Sequence, residues 1–331
     1  MRRKSSTSLV ALVVVLLLAL VPSRLARADN SMWGANYFPN VELVTQDGKQ
    51  VRFYDDLLRG KTVIINFVYT RCGDSCPLET AKLAQVYRLL SGRMGKDIFF
   101  YSISIDSKHD KPAVLKKYAG RFHVGPGWYF LTGKKEDIDL IRKKIGMASR
   151  PDADPFTGHT TALTIGNVAT GQWFVDSSLD DPRYIATIAG DWLSSWKHTR
   201  PVKSYAQRPA VPPAEFERGG ALFRTSCAAC HTIGQGDGIG PDLAHITGQR
   251  ERAWLKSFIT GPDKALKRRD PIAVALFKKY NQVKMPNLRL SEIDAENLIS
   301  FIEARSNELH DTPAGDKPEQ QAATATGGQT R

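Results

Sequence analysis

The 331-residue chain has only four cysteines, and they form two tight pairs, Cys72 with Cys76 and Cys227 with Cys230. Exported proteins usually use cysteines to join distant segments through disulfides, whereas pairs three or four residues apart close very small loops and add little stability. The spacing therefore argues against a fold held together by long-range disulfides. It indicates metal, redox or cofactor chemistry at each pair.

Acidic residues are also in short supply, with 34 Asp and Glu against 46 Lys and Arg, which gives a net charge of +12. Nucleic-acid-binding proteins share this excess of positive charge. The basic residues, however, do not form a cluster that is interleaved with aromatic residues, and this argues against nucleic acid as a partner. The charge is equally typical of an exported protein that docks on acidic partners.

Long apolar runs are confined to the N-terminus, where Leu9–Val21 has thirteen residues. A membrane-spanning helix needs about 20. The run follows the basic start Arg2–Lys4 and precedes Ala26-Arg27-Ala28, an A-x-A cleavage pattern. These features predict a secretory signal peptide over residues 1–28, and an uncleaved N-terminal anchor is the alternative. Either alternative predicts a periplasmic protein. A cleaved signal peptide would leave it soluble, and an uncleaved anchor would tether it to the inner membrane by its N-terminal segment.

The rest of the chain divides into two parts. Strand-like apolar runs alternate with helical spacing over residues 36–196, whereas residues 214–308 have helical spacing throughout. Alternating strands and helices imply a sheet with helices on its faces. The Pro-rich residues 197–213 between these parts are predicted to be a semi-rigid linker, and residues 309–331 a disordered tail.

Individual elements follow from the same patterns. Thr62–Tyr69 and Asp97–Ile105 are β-rich apolar runs and are predicted as buried strands. Pro77–Leu90 has the apolar spacing of a helix. Ser291, with Asp294 three residues later, resembles a capping box that opens the last helix.

The second cysteine pair belongs to a C-x-x-C-H motif, Cys227-Ala228-Ala229-Cys230-His231. This motif is typical of c-type haem attachment, because two thioethers and an iron-binding imidazole must reach one ring from a single helical turn. The motif predicts one covalent haem c. A zinc site or a disulfide that happens to precede a histidine is the alternative.

The context of this motif resembles a class I cytochrome c over about residues 214–307. The resemblance rests on Phe216, Gly220 and Phe223 before the motif, and on Gly240-Pro241 and Met285-Pro286 after it. It implies that His231 and Met285 are the two axial ligands of the haem iron. His/Met ligation raises the reduction potential. A gap-filling role in the core is the alternative for Met285.

A basic stretch follows the haem motif. Residues 250–289 contain 11 Lys and Arg against 3 Asp and Glu. The stretch is either a docking face for an acidic redox partner or an ordinary solvated surface.

The first cysteine pair, Cys72-Gly73-Asp74-Ser75-Cys76-Pro77, directly follows a predicted buried strand and opens a predicted helix. Thioredoxin-like folds place reactive cysteines at this position, where the helix N-terminus favours the thiolate. The pair has one more intervening residue than the C-x-x-C of thioredoxins, which leaves room for an ion between the sulfurs. Soft thiolates select Cu(I).

Residues 36–196 resemble the Sco/SenC family. The resemblance rests on CGDSCP, on the segment DSKHDKP at 106–112, on GWYFLTG at 127–133 and on His159 before a predicted strand. It implies that Cys72, Cys76 and His159 bind one copper ion, and that the domain delivers copper to, or prepares, the copper centre of cytochrome c oxidase. A surface-loop histidine is the alternative for His159. The predicted fold class is an α/β thioredoxin-like domain followed by an all-α cytochrome c domain.

Three functions remain open at this point. The chain is a copper-binding assembly factor with an attached haem domain, a copper-free thiol–disulfide oxidoreductase or redox sensor in which Cys72 and Cys76 cycle, or mainly an electron carrier with a docking module. Its expected partner is the copper-bearing subunit of cytochrome c oxidase or another exported redox protein. Because a His/Met haem is oxidising and dithiols are reducing, electrons are expected to run from the first domain to the haem.

Overall fold

The computed structural model of the chain describes residues 33–73, 75–147, 161–193 and 218–311. The predicted signal peptide, the predicted linker and residues 312–331 of the predicted tail lie outside these ranges. Within them, none of the helices combines the length and the apolar composition that crossing a bilayer requires.

A mixed sheet of seven strands organises the first part of the described chain, in the order β2-β1-β5-β4-β3-β6-β7. The strands are β1 Glu42–Thr45, β2 Gln50–Arg52, β3 Thr62–Val68, β4 Ile98–Ser104, β5 Trp128–Gly133, β6 Ala162–Asn167 and β7 Gln172–Ser177. β4 pairs in parallel with both β3 and β5, and the remaining pairs are antiparallel. Parallel neighbours require a crossover connection, and helices supply it here.

Five helices accompany the sheet: α1 Phe53–Leu58, α2 Cys76–Leu89, α3 Pro112–Gly120, α4 Lys135–Lys144 and α5 Pro182–Thr187. A more widely wound segment, Ile188–Trp192, continues α5. The strands alternate their side chains between the two faces, so Ile64 packs into one core with α2 and α3, while Val63 packs into the other with α1 and α4. Both faces are covered, which explains why all seven residues of β3 are buried.

The predicted strands and helices of this part are confirmed, with small shifts at their ends. In the β6–β7 hairpin the side chain of Asn167 caps the turn by accepting hydrogen bonds from the backbone N–H groups of Ala169 and Thr170. β1, β2 and α1 are not predicted by the sequence patterning, because two strands of four and three residues are too short to give a clear period.

The second part of the described chain is helical: α6 Arg218–Leu222, α7 Ile246–Gln249, α8 Arg252–Thr260, α9 Pro262–Lys267, α10 Pro271–Lys279 and α11 Glu292–Asp311. The predicted capping box opens α11, because Ser291 Oγ accepts from the N–H of Asp294 at 3.1 Å and Asp294 Oδ2 accepts from the N–H of Ser291 at 3.2 Å. The helix ends at Asp311, three residues past the predicted domain end at 308.

Helices α6 and α11 cross closely at Gly219. A Cβ placed there would lie 2.1 Å from the carbonyl oxygen of Asn297, whereas at Gly220 it would lie 3.0 Å from the Phe301 ring. Gly219 is therefore the tighter contact, although the family resemblance pointed to Gly220. Phe216, the other residue of that resemblance, lies outside the described residues.

The two parts pack against each other. The core that contains Ile64 and α2 continues into the helical part through Ala229 and Ile239, which are both buried. A hydrogen bond of 3.1 Å from Gln85 Nε2 on α2 to the carbonyl oxygen of Ala228 joins them as well. The C-x-x-C-H motif therefore lies against the helix that begins at Cys76.

Candidate functional site

The fold places the first cysteine pair at the junction between β3 and α2. Cys72 lies in the loop after β3, where its N–H donates to the carbonyl oxygen of Tyr69 at 3.1 Å, and Cys76 is the first residue of α2. Only 6% of Cys72 and none of Cys76 is exposed. Pro77 is suited to the first turn of a helix because it has no N–H to satisfy there.

The surroundings of Cys76 influence its protonation as well as the helix N-terminus does. The hydrogen bond with Cys72, together with burial, raises the pKa of Cys76 far above its ordinary value, and the neighbouring carboxylate of Glu79 adds to the rise. Burial and the neighbouring sulfur therefore oppose the helix N-terminus, which favours the thiolate. A bound cation would displace the proton, because metal ligation requires the thiolate.

Two buried carboxylates hold the loop that leads to Cys72. Asp110 accepts hydrogen bonds from the N–H of Thr70 at 3.0 Å and from its hydroxyl at 2.5 Å, and Asp106 accepts from Arg71 Nη2 at 2.6 Å. Thr70 and Arg71 immediately precede Cys72. These carboxylates therefore position the loop that carries Cys72.

His109 stands beside these carboxylates, with Nδ1 2.9 Å from Asp110 Oδ1. Asp106, His109 and Asp110 bring one ligand atom each within 4.8 Å of one another. The Asp110 oxygens already accept from Thr70 and Ser104, so this cluster serves the architecture of the loop. The side chain of His109 is 42% exposed and lines the space in front of Cys72.

That space, which we call the Cys72 cleft, has a volume of about 620 Å³. Its walls come from both parts of the chain. Thr70, Arg71, Cys72, His109 and neighbouring residues form one wall, and Phe277, Gln282, Val283 and Lys284 form the other. His159, the predicted third copper ligand, lies outside the described residues.

The C-x-x-C-H motif begins at the last residue of a widely wound helical segment, Phe223–Cys227, that continues α6. Its imidazole is fixed by a 2.9 Å hydrogen bond between His231 Nδ1 and the carbonyl oxygen of Pro241. A carbonyl can only accept, so Nδ1 carries the proton and Nε2 keeps the lone pair that binds a metal. Burial lowers the pKa of His231, against the opposing effect of this hydrogen bond, and so keeps the imidazole neutral.

Two adjoining cavities, of about 100 and 300 Å³, open onto this imidazole, and we call them together the C-terminal crevice. Both are lined by Cys227, His231 and Met285, and the smaller one also by Cys230. Most of the other lining residues are apolar, among them Ile239, Phe258, Leu276, Leu288 and Leu298. The structure thus brings the four predicted haem-binding residues to one apolar crevice.

The donor set fits a haem better than it fits zinc. Burial raises the pKa of both Cys227 and Cys230 to about 12, so without a bound group they are thiols at neutral pH. Met285 brings a thioether, which is a soft ligand and is foreign to structural zinc sites. Thioether bonds to a porphyrin need no thiolate once they are formed, and the apolar walls suit the porphyrin ring.

Two family models match separate stretches of this chain. Residues 33–170 match the SCO1/SenC model, and residues 216–306 match the Cytochrome c model. The chain joins a Sco/SenC domain to a cytochrome c domain. The predicted fold class is thereby confirmed, and a cytochrome c domain implies a covalently bound haem c.

Curated relatives match the Sco domain. The SCO2-like protein of Rickettsia felis is 34% identical over 116 residues, which are 35% of this chain and 52% of the relative. The putative copper-binding protein of Stutzerimonas stutzeri is 28% identical over 131 residues, 40% of this chain and 62% of the relative. The chain spans about half the length of the first curated relatives it matches.

Solved structures of the same family also match. The SCO1/SenC family lipoprotein from Bacillus anthracis is 26% identical, and the match covers 46% of this chain and 92% of the lipoprotein with a TM-score of 0.38.

Proposed function

We propose that this chain is an exported redox protein that binds one copper ion in its Sco domain and one haem c in its cytochrome domain. The observation that carries the proposal is the arrangement of Cys72 and Cys76. Their side chains are hydrogen-bonded to each other at the start of α2, Cys76 is fully buried, and Cys72 lines a cleft of about 620 Å³.

Copper is the metal that this donor set favours. Cys72 and Cys76 supply two soft sulfur ligands, and His159 is the proposed third ligand. A relative that matches the Sco domain is named a putative copper-binding protein. Family membership supports a role in assembling the copper centre of cytochrome c oxidase, with the copper-bearing subunit as the partner. The basic stretch at 250–289 would favour an acidic docking face on such a partner.

The cytochrome domain would hold its haem through Cys227, Cys230, His231 and Met285. When bound, the haem supplies reversible one-electron transfer. The chain's own contribution is to fix the imidazole through Pro241, to keep Nε2 unprotonated, and to exclude water with the apolar walls of the C-terminal crevice. The Met285 thioether and the apolar walls would favour the ferrous state and an oxidising potential.

A copper titration of the purified full chain tests the copper proposal. The chain is expected to bind one Cu(I) tightly, and Cys72→Ser and His159→Ala are expected to lose it. His123→Asn is the matched control for the histidine, because His123 is exposed and has a positive φ of 55° that asparagine tolerates. Unchanged copper affinity in Cys72→Ser would refute the site.

A copper-free thiol–disulfide oxidoreductase is the second candidate, because the hydrogen bond between the two thiols keeps the sulfurs adjacent, as a disulfide also requires. Disulfide reductase activity in metal-free buffer that disappears in Cys76→Ser would favour it. The third candidate is an electron carrier with a docking module. It would be favoured if the chain shows neither copper binding nor reductase activity and its haem function survives replacement of both Sco cysteines.

Export is proposed on the N-terminal sequence. Fractionation of the producing cells tests it, since the chain is expected in the periplasm with Asp29 at its N-terminus if the signal is cleaved. Recovery from the inner membrane with Met1 retained would support the anchor, and recovery from the cytoplasm would contradict both.

A further inference from the structure

Helix α2 of the Sco domain reaches the C-terminal crevice of the cytochrome domain. Leu78, two residues after Cys76, lines the same cavity as Cys230, His231 and Met285. Leu78 is only 5% exposed. The wall of the proposed haem site is thus completed by a residue that belongs to the other domain.

A second contact lies on the same face of α2. Gln85 is seven residues after Leu78, close to two helical turns, and its Nε2 donates to the carbonyl oxygen of Ala228 at 3.1 Å. Ala228 lies between the two haem-attaching cysteines. One face of the helix that begins at Cys76 therefore lies along the C-x-x-C-H turn.

The two sites also share a wall. Phe277, Val283 and Lys284 line both the Cys72 cleft and the C-terminal crevice. The next residue is Met285, the proposed axial ligand. Less than one helical turn of α2, from Cys76 to Leu78, therefore lies between the cysteine pair and the C-terminal crevice on one side, and this shared segment lies between them on the other.

We propose that the Sco domain completes the haem pocket of the cytochrome domain, with Leu78 covering one side of the crevice and Gln85 holding α2 in register. This inference rests on the haem binding proposed above. Burial and the local dielectric are among the levers that set a haem potential. Because the ferric form carries one more positive charge than the ferrous form, apolar cover from Leu78 raises the potential.

The test is the reduction potential of the haem, measured by spectroelectrochemical titration of the full chain. Leu78→Ala removes the cover, and Gln85→Ala removes the hydrogen bond while leaving the core intact. Leu89→Ala is the matched control, because Leu89 lies on the same helix with 53% of its surface exposed. Circular dichroism of each variant verifies that the fold is retained.

The equilibrium constant for haem reduction is expected to fall about threefold in Leu78→Ala, which is a shift of about 28 mV at 59 mV per tenfold change. Gln85→Ala is expected to shift in the same direction, and Leu89→Ala to match the parent. If Leu78→Ala folds and its haem has the same reduction potential as the parent, the inference is overturned. If Leu78→Ala does not fold, Gln85→Ala decides, and an unchanged potential in that variant overturns the inference. A chain without covalently attached haem would instead contradict the proposed function itself.

Discussion

Gly240 offers the sharpest perturbation of the haem site, because it leaves no room beside the imidazole. A Cβ placed on Gly240 would lie 2.6 Å from His231 Cε1, 3.0 Å from Nδ1 and 3.2 Å from Nε2. Ordinary contact begins at 3.4 Å. In Gly240→Ala the ring must therefore move by about 0.8 Å, the difference between 3.4 and 2.6 Å, or the backbone must shift instead.

This displacement has two consequences. It strains the 2.9 Å hydrogen bond between His231 Nδ1 and the carbonyl oxygen of Pro241, and it would reorient Nε2, the atom that would bind the haem iron. Overpacking of a well-packed core costs about 1–3 kcal/mol. For a domain of the size of the cytochrome domain, each kcal/mol lowers the midpoint of thermal unfolding by about 4–8 °C, so the expected loss is roughly 4 to 24 °C.

The assay is thermal unfolding of the full chain followed through the haem absorption band, together with the optical spectrum at room temperature. Gly248→Ala is the matched control, since a Cβ at Gly248 meets nothing within 4 Å. Gly240→Ala is expected to lower the unfolding midpoint and to change the spectrum, while Gly248→Ala leaves both close to the parent. Equal behaviour of the two variants would refute the role assigned to Gly240.

Three further predictions follow from other contacts. Asp110→Asn is expected to weaken copper binding by about tenfold or more, because Asp110 holds the loop before Cys72; a copper competition titration measures this, and an unchanged affinity would contradict it. Hydrogen bonds from Arg218 and Ser291 hold the pKa of Asp294 below its ordinary value, so its contribution to stability is complete above about pH 4 and is lost as the pH falls through the lowered value. Thermal unfolding measured as a function of pH tests this. The unfolding midpoint is expected to fall less steeply at acidic pH in Asp294→Asn than in the parent, and an identical fall would contradict the prediction. Gly219→Ala is expected to destabilise the cytochrome domain by about 1–3 kcal/mol, because its Cβ would lie 2.1 Å from a backbone oxygen of α11. Denaturant unfolding followed through the haem band measures this, and an unchanged free energy of unfolding would contradict it.

Much of the fold could be predicted from the sequence where a local pattern is long enough to be unambiguous. Strands β3 and β4 are apolar runs buried on both faces, and their composition alone indicates this. The capping box of α11 is equally local, because its two hydrogen bonds join residues three apart. β1 and β2 could not be predicted, since pairing with β5 and with each other, rather than their own sequence, makes them strands.

The difference between local patterns and long-range contacts also explains which site residues could be predicted from the sequence. The haem residues could be predicted because attachment chemistry dictates the spacing of Cys227, Cys230 and His231 within one turn. The role of Asp110 could not, because it depends on a hydrogen bond to Thr70, forty residues away in the chain. Leu78 carries no sequence signal at all for its place in the C-terminal crevice. Only the packing of the two domains gives it that position, and an apolar residue on a helix is otherwise typical of a core.

The central claim is that both cysteine pairs are cofactor ligands. Elemental analysis of the purified, exported full chain tests it most directly, with copper, iron and zinc quantified in one sample. One copper and one iron per chain are expected, with iron retained after denaturation because the haem is covalently attached. A chain that contains no iron, or that carries zinc at stoichiometric levels in place of either metal, would contradict the account.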